Sequence, residues 1–263
     1  MSKTAFHDLR MQGAGNFRDI GDRVTIDGQR IRAARVFRSG ELSRLTDADY
    51  QRLRQIGIAF VADLRSQKEC AALPTHWPAD MAAEVYTADI GMDSRVDGRP
   101  VMDVIFENPT PEHATNTVAR AFSSIADMCG PALRVITAKL AEGVQPVIFH
   151  CTNGRDRTGI VAAMMLYMLG ASRDEIVHDF MLTNERIDFR IAVENSINAF
   201  RKAMGVDIDR EIVEMITLVR PHYIDTLFKS FDERYGSPEG YLDHFGIDAA
   251  MREALRGQLL EVS

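Results

Sequence analysis

Cys151 and Arg157 stand six positions apart inside His150-Cys151-Thr152-Asn153-Gly154-Arg155-Asp156-Arg157-Thr158-Gly159. A cysteine thiolate is a strong nucleophile, and an arginine fork grips two oxygens of a tetrahedral oxyanion and can follow them as they move. That spacing alone is weak; its setting makes it specific. The apolar run Pro146-Val147-Ile148-Phe149-His150 leads into the loop, and the apolar stretch Ile160 to Leu169 leaves it. A tight loop between a buried strand and a helix offers an anion consecutive backbone N–H groups and the positive end of the helix dipole. The predicted phosphate-binding residues are therefore Thr152, Asn153, Gly154, Arg155, Asp156 and Arg157, with Gly154 permitting the tight path. The same positive surroundings favour the thiolate form of Cys151. His150 would steady the loop, and the Thr158 hydroxyl would donate to the sulfur when it becomes a leaving group. The chemistry this predicts is attack by Cys151 on a phosphate monoester.

The leaving oxygen needs a proton, and two carboxylates compete to supply it. Asp156 lies in the loop itself; Asp89 follows the predicted strand Glu84-Val85-Tyr86-Thr87. Trp77-Pro78-Ala79-Asp80 precedes that strand and reads as a turn. Asp63 and Arg65 end another predicted strand and are expected to form an ion pair bracing the loop, with Arg18 and Asp19 as further buttresses. Cys70 and Cys129 have no Arg six positions later and read as structural, unless one shields Cys151 by a reversible disulfide. The histidines lack the paired spacing of metal ligands, so neither metal nor cofactor is expected.

The elements that must position these residues follow from short apolar runs. Ile58 to Leu64 and Pro146 to His150 read as buried strands, with a helical pattern from Pro131 to Glu142 between them. That order predicts parallel βαβ units. The expected fold is α/β, with a central, mainly parallel sheet, helices on both faces and a helical C-terminal portion over 187–263, all in one domain. Val24-Thr25-Ile26 and Gln29-Arg30-Ile31 flank Asp27-Gly28 as a hairpin, and Arg35 to Arg38 forms another strand. A helix capped by Thr46 should end near Gly57. Ile160 to Leu169, apolar all round, should be central and buried. Ser172-Arg173-Asp174-Glu175 has the form of a capping box opening a helix that runs to about Asn184. The helical tail should break near Gly205, Pro221 and Tyr235-Gly236-Ser237-Pro238. Gly91 to Thr117, with Pro100, Pro109 and Pro111, reads as an irregular loop and a candidate lid.

Composition bounds the rest. With 263 residues, 46% hydrophobic and 26% charged, the chain is an ordinary globular one able to bury a substantial core. A net charge of −7 argues against a general binder of nucleic acid or acidic membranes, though a local basic cleft is compatible with it. The three cysteines are too scattered for a disulfide framework or a zinc site, which suits a reducing compartment. The first ten residues lack the apolar run of a signal peptide, and Ile160 to Leu169 is too short to span a bilayer. The expected location is the cytoplasm, or outside the cell without a classical signal, with no stable membrane insertion.

The loop resembles the Cys-x5-Arg signature of the protein tyrosine phosphatase superfamily and, more narrowly, that of the atypical bacterial tyrosine and phosphoinositide phosphatases. Similar segments recur along the chain: Asn16-Phe17-Arg18-Asp19-Ile20-Gly21, Phe37 to Leu45, Asp63-Leu64-Arg65-Ser66, and Tyr235 to Leu242. The resemblance implies a phosphocysteine intermediate, no metal, and phosphotyrosine proteins as substrates, with phosphoserine, phosphothreonine and phosphoinositides as further ones. It also favours Asp156 as the acid. Arg155 stands where Lys is usual and Asn153 where Ala is frequent, so the charge is kept but its geometry differs. Beside Arg157, Arg155 would offer a second cation to a multiply phosphorylated ligand. The alternatives are a rhodanese or arsenate-reductase type enzyme, disfavoured by the isolated cysteines, and a phosphate-binding scaffold without turnover.

Overall fold

The computed structural model describes residues 9–91, 94–205 and 207–261. Its five-stranded sheet has the order β1-β2-β7-β3-β4, formed by Arg18–Asp19 (β1), Val36–Ser39 (β2), Val147–His150 (β7), Phe60–Asp63 (β3) and Glu84–Thr87 (β4). β1 runs antiparallel to β2, and the other neighbours are parallel. β2, β3 and β7 are buried at every position, as strands covered on both faces must be. Alternation along them splits the core. Val36, Phe60, Ala62, Val147 and Phe149 join one cluster, and Phe37, Val61 and Ile148 another. Pro111–Ala141 (α4), Asp156–Met168 (α5), Pro221–Tyr235 (α10) and Ala249–Leu259 (α12) supply the first. Asp47–Ile56 (α1) and the segment around Met11, Ala14 and Phe17 supply the second. The helices thus lie on both faces, as expected. In β7, His150 pairs with Ser39 of β2 on one side and Asp63 of β3 on the other, so three strands end together around Cys151. Ligands of such sheets bind just beyond the carboxyl ends of the strands.

The stretch expected as an irregular loop, of which Met92 and Asp93 lie outside the described residues, is largely regular over 94–117. It holds the small hairpin Arg95–Val96 (β5) and Arg99–Pro100 (β6), the helix Val101–Glu107 (α3) and the first turns of α4. The prolines misled because Pro111 occupies the first turn of α4, where a missing N–H costs nothing, and Thr110 caps that helix by accepting from His113 N at 3.3 Å. Nor does Pro131 start a helix: α4 runs through it for 31 residues, held by buried Cys129, Ala132, Leu133 and Ile136. The expected hairpin around Asp27-Gly28 is reduced to a single bridge, Val24 with Arg30, and Ile31, whose backbone bonds back to Asp22 and Arg23, also bridges to Leu260.

α1 is capped by Thr46 and stops at Gly57 in the left-handed region, as its sequence requires. The helix after the loop begins at Asp156, and every residue from Arg157 to Leu166 is buried. The capping-box helix divides at Leu182 into Arg173–Met181 (α6) and Thr183–Arg186 (α7). Gln67–Ala72 (α2), Phe189–Met204 (α8), Arg210–Thr217 (α9) and Pro238–His244 (α11) complete the chain. Among the described residues no helix is long and apolar enough to cross a membrane.

Candidate active site

Cys151 leaves the end of β7 almost buried, at 3% exposure. The chain then turns at Gly154, where φ is +63° and a side chain would strike Gly40 N and Ser39 O at 2.6 Å, so only glycine fits. Arg157, in the first turn of α5, points back across the loop. Its Nη1 donates to the carbonyls of Ile90 at 2.9 Å and Leu64 at 3.2 Å. Both terminal nitrogens also donate to Glu69, Nη1 to Oε2 and Nη2 to Oε1, each at 2.7 Å. The Thr152 hydroxyl donates to the same Oε1. Burial pushes the Glu69 carboxyl up, but the bonds from Arg157 and Thr152 outweigh it and draw it down to about 2. Glu69 therefore sits as a carboxylate on the Arg157 fork. Sequence reasoning missed this residue. Its signal was Ser66-Gln67-Lys68-Glu69, a capping box just after β3, in which Ser66 and Glu69 satisfy each other's backbone groups at the start of α2.

Thr158 is fully buried, and among the described residues its Oγ1 has no hydrogen-bond partner. His150 is fully buried, with Nδ1 3.4 Å from the Cys151 carbonyl and Nε2 3.7 Å from Asp63 Oδ2. Burial holds its imidazole below the ordinary histidine value, which suits a neutral ring. Asp63 and Arg65 form the expected ion pair, Arg65 Nη2 donating to Oδ2 at 2.7 Å and Nε to Oδ1 at 2.9 Å. Burial raises the Asp63 carboxyl, but the bonds from Arg65 leave it below the usual carboxylate range.

The two candidate acids lie in different surroundings. Asp156 opens α5 and lines a cavity of about 270 Å³ walled by Val101, Ile105, Phe122 and Ile216, with Arg157 at its edge. Arg155 pairs with it, Nε to Oδ1 at 3.0 Å and Nη2 to Oδ2 at 3.0 Å, and donates from Nη1 to the Thr217 carbonyl at the end of α9 at 2.6 Å. Asn153 and Arg155 also line a second depression, with Asn195 and Ser196. Asp89 has a φ of +52°, and its Oδ1 accepts from Gln67 N at 2.8 Å, so it caps α2. Asp80 of the Trp77 turn is paired with Arg54. Cys129 is fully buried and Cys70 lies 3.5 Å from Asp63 Oδ2; burial pushes both thiols up, as structural cysteines.

Beneath the loop is a cluster the sequence only hinted at. Asp179 of α6, 1% exposed, accepts from Arg38 Nη1 at 2.6 Å, Arg18 Nε at 3.0 Å and Arg23 Nη2 at 3.1 Å. Burial works against its charge, but the three guanidiniums hold the carboxyl far below the usual range. Asp19 braces the backbone instead, accepting from Gly21 N and Ala34 N.

Comparison with known proteins gives the same direction. The triple specificity protein phosphatase PtpB of Mycobacterium tuberculosis is 32% identical over 95% of this chain and 98% of its own length. A putative tyrosine-protein phosphatase of Cupriavidus necator is 28% identical over 97% of this chain and 89% of its own. Among solved structures, the Siw14 catalytic core matches 72% of this chain and 96% of its own at 14% identity, with a TM-score of 0.36 too low to carry weight. The sequence model of the tyrosine phosphatase family matches residues 9–261, with the whole Cys151 loop inside it, and the chain is therefore an enzyme belonging to that family.

Proposed function

We propose that the chain hydrolyses phosphate monoesters through a phosphocysteine intermediate, with phosphotyrosine proteins as its main substrates and phosphoserine, phosphothreonine and phosphoinositides as further ones. One observation carries the reading: the loop that starts at Cys151 borders, through Arg155, Asp156 and Arg157, a largely apolar cavity of about 270 Å³. A cavity that size accepts one aromatic ring, and its walls at Val101, Ile105, Phe122 and Ile216 suit an aryl group better than a bare alkyl hydroxyl.

The substrate phosphate would displace Glu69 from Arg157, which then grips two of its oxygens. The Cys151 thiolate attacks phosphorus, so that a P–S bond forms as the P–O bond to the leaving group breaks. Asp156, lining the cavity, passes its proton to the departing oxygen. The same carboxylate then takes a proton from water as that water attacks phosphorus, breaking the P–S bond and releasing inorganic phosphate. Thr158 donates to the departing sulfur. The place of Asp156 in the cavity wall, which Asp89 does not line, supports Asp156 as the acid.

Hydrolysis of p-nitrophenyl phosphate, inhibited by vanadate and unaffected by EDTA, tests the activity; its absence from folded protein refutes the proposal. Phosphotyrosine, phosphoserine and phosphothreonine peptides assayed beside individual phosphoinositides test the substrate order. Asp156→Asn should slow aryl phosphates with poor leaving groups far more than activated ones, and Asp89→Asn should show no such dependence. The opposite pattern assigns the acid to Asp89.

A further inference from the structure

The carbonyls of the loop are captured, one after another, from a single side. Thr152 O accepts from Glu41 N at 3.0 Å. Asn153 O accepts from Asn16 Nδ2 at 3.4 Å. Gly154 O accepts from the same Asn16 Nδ2 at 2.7 Å and from Arg38 Nη2 at 2.8 Å. The peptides here are trans, and in a trans peptide the N–H points opposite to the C=O. Holding these three carbonyls on the β2 side therefore turns the N–H groups of Asn153, Gly154 and Arg155 to the other side. Among the described residues none of those three N–H groups has a protein acceptor, so they remain available to an oxyanion.

The two side chains that hold Gly154 O are themselves held by Asp179. Arg38 reaches it directly, with its side chain fully buried and its Nε without a partner among the described residues. Asn16 reaches it through Arg18, which donates from Nη1 to Asn16 Oδ1 and from Nε to Asp179. That bond sets the amide's orientation: its oxygen faces Arg18, so its nitrogen must face the loop. A network serving only to bury charge has no need to place two donors on one carbonyl of the phosphate loop.

We infer that Asn16 and Arg38, anchored by Asp179, are positioning residues that turn the loop carbonyls away and hold its N–H groups as a ready-made oxyanion cradle. The inference rests on the phosphatase reading of the loop. It also accounts for Asn16-Phe17-Arg18 and Phe37-Arg38-Ser39-Gly40, two segments remote from Cys151 in sequence. Gly40 packs against the loop as well, since a side chain there would meet the Gly15 carbonyl at 2.9 Å and the Thr152 carbonyl at 3.3 Å.

The test uses 15N-labelled Cys151→Ser protein titrated with sodium tungstate, alone and with Asn16→Ala, Arg38→Gln or Arg38→Lys added. In the parent, tungstate should bind and shift the amide signals of Asn153, Gly154 and Arg155. Asn16→Ala should weaken binding about tenfold and Arg38→Gln about ten- to a hundredfold, the range for losing a neutral or a charged buried hydrogen bond. The shifts of those three amides should shrink in step, while signals from α10 to α12 stay in place. Arg38→Lys, which keeps a charged donor, should recover part of the loss. Should Arg38→Gln fail to fold, Asn16→Ala decides the matter, because it removes no charge. A parent that does not bind tungstate overturns the phosphatase reading itself. A parent that binds, with Asn16→Ala and Arg38→Gln binding as tightly and shifting the same amides, overturns the positioning role alone.

Discussion

Replacing Glu69 by Gln removes the carboxylate that holds Arg157 while keeping its size. The Glu69 carboxyl is drawn from 4.5 to about 2, and its side chain is only 23% exposed. A depression of roughly 2.5 units at 1.36 kcal/mol each amounts to about 3 kcal/mol of stability. Because the folded-state value is lowered, that contribution is complete above the unfolded value near 4.5 and is lost as pH falls through about 2. Linkage leaves roughly three-fifths of it at pH 3.5 and roughly a quarter at pH 2.5. At pH 7 Glu69→Gln should therefore be less stable than the parent by about 2–3 kcal/mol, with water at the partly open carboxylate trimming the upper figure. Urea unfolding of both proteins at pH 7, 5 and 3.5 measures the difference, which should narrow as pH falls. A gap that stays constant across this range, or one below about 0.5 kcal/mol at pH 7, would refute the assignment of Glu69 as the main counter-charge of Arg157.

Cys151→Ser should abolish turnover while tungstate still binds, because Arg157 and the loop amides remain; turnover at the parent rate would exclude a covalent mechanism. Arg157→Lys should cost at least a hundredfold in kcat/KM, since an ammonium cannot reproduce the bidentate fork, and near-normal kinetics would rule that geometry out. Gly154→Ala should destabilise the fold by about 2 kcal/mol or more, from the left-handed backbone and the contacts with Ser39 and Gly40, as read from urea unfolding. Arg155→Ala should lower kcat/KM for a phosphotyrosine peptide and a phosphoinositide by similar factors, because its guanidinium is engaged by Asp156 and Thr217. A much larger loss for the lipid, shrinking with added salt, would show that Arg155 meets substrate directly.

What the amino-acid order determined by itself is what lies close along the chain. The loop from His150 to Gly159 contains both the Cys151 thiol and the Arg157 guanidinium, and the apolar runs of β3, β7 and α5 place it at the mouth of a parallel sheet. Asp63 and Arg65 are two residues apart, so their pairing is nearly local. Tertiary structure alone decided what meets the loop from a distance. Glu69 is 88 positions from Arg157, and Asp179 is 141 from Arg38; neither pairing leaves a local pattern, since a charge on a helix usually means a solvated face. The cavity beside Arg157 needs α3, α4 and α9 packed together, and two of these begin in a stretch whose prolines read as breaks. Proline forbids a helix interior only through its missing N–H and its ring, and whether a given proline falls at a first turn or within a well-packed helix is settled by contacts the chain makes after it has folded.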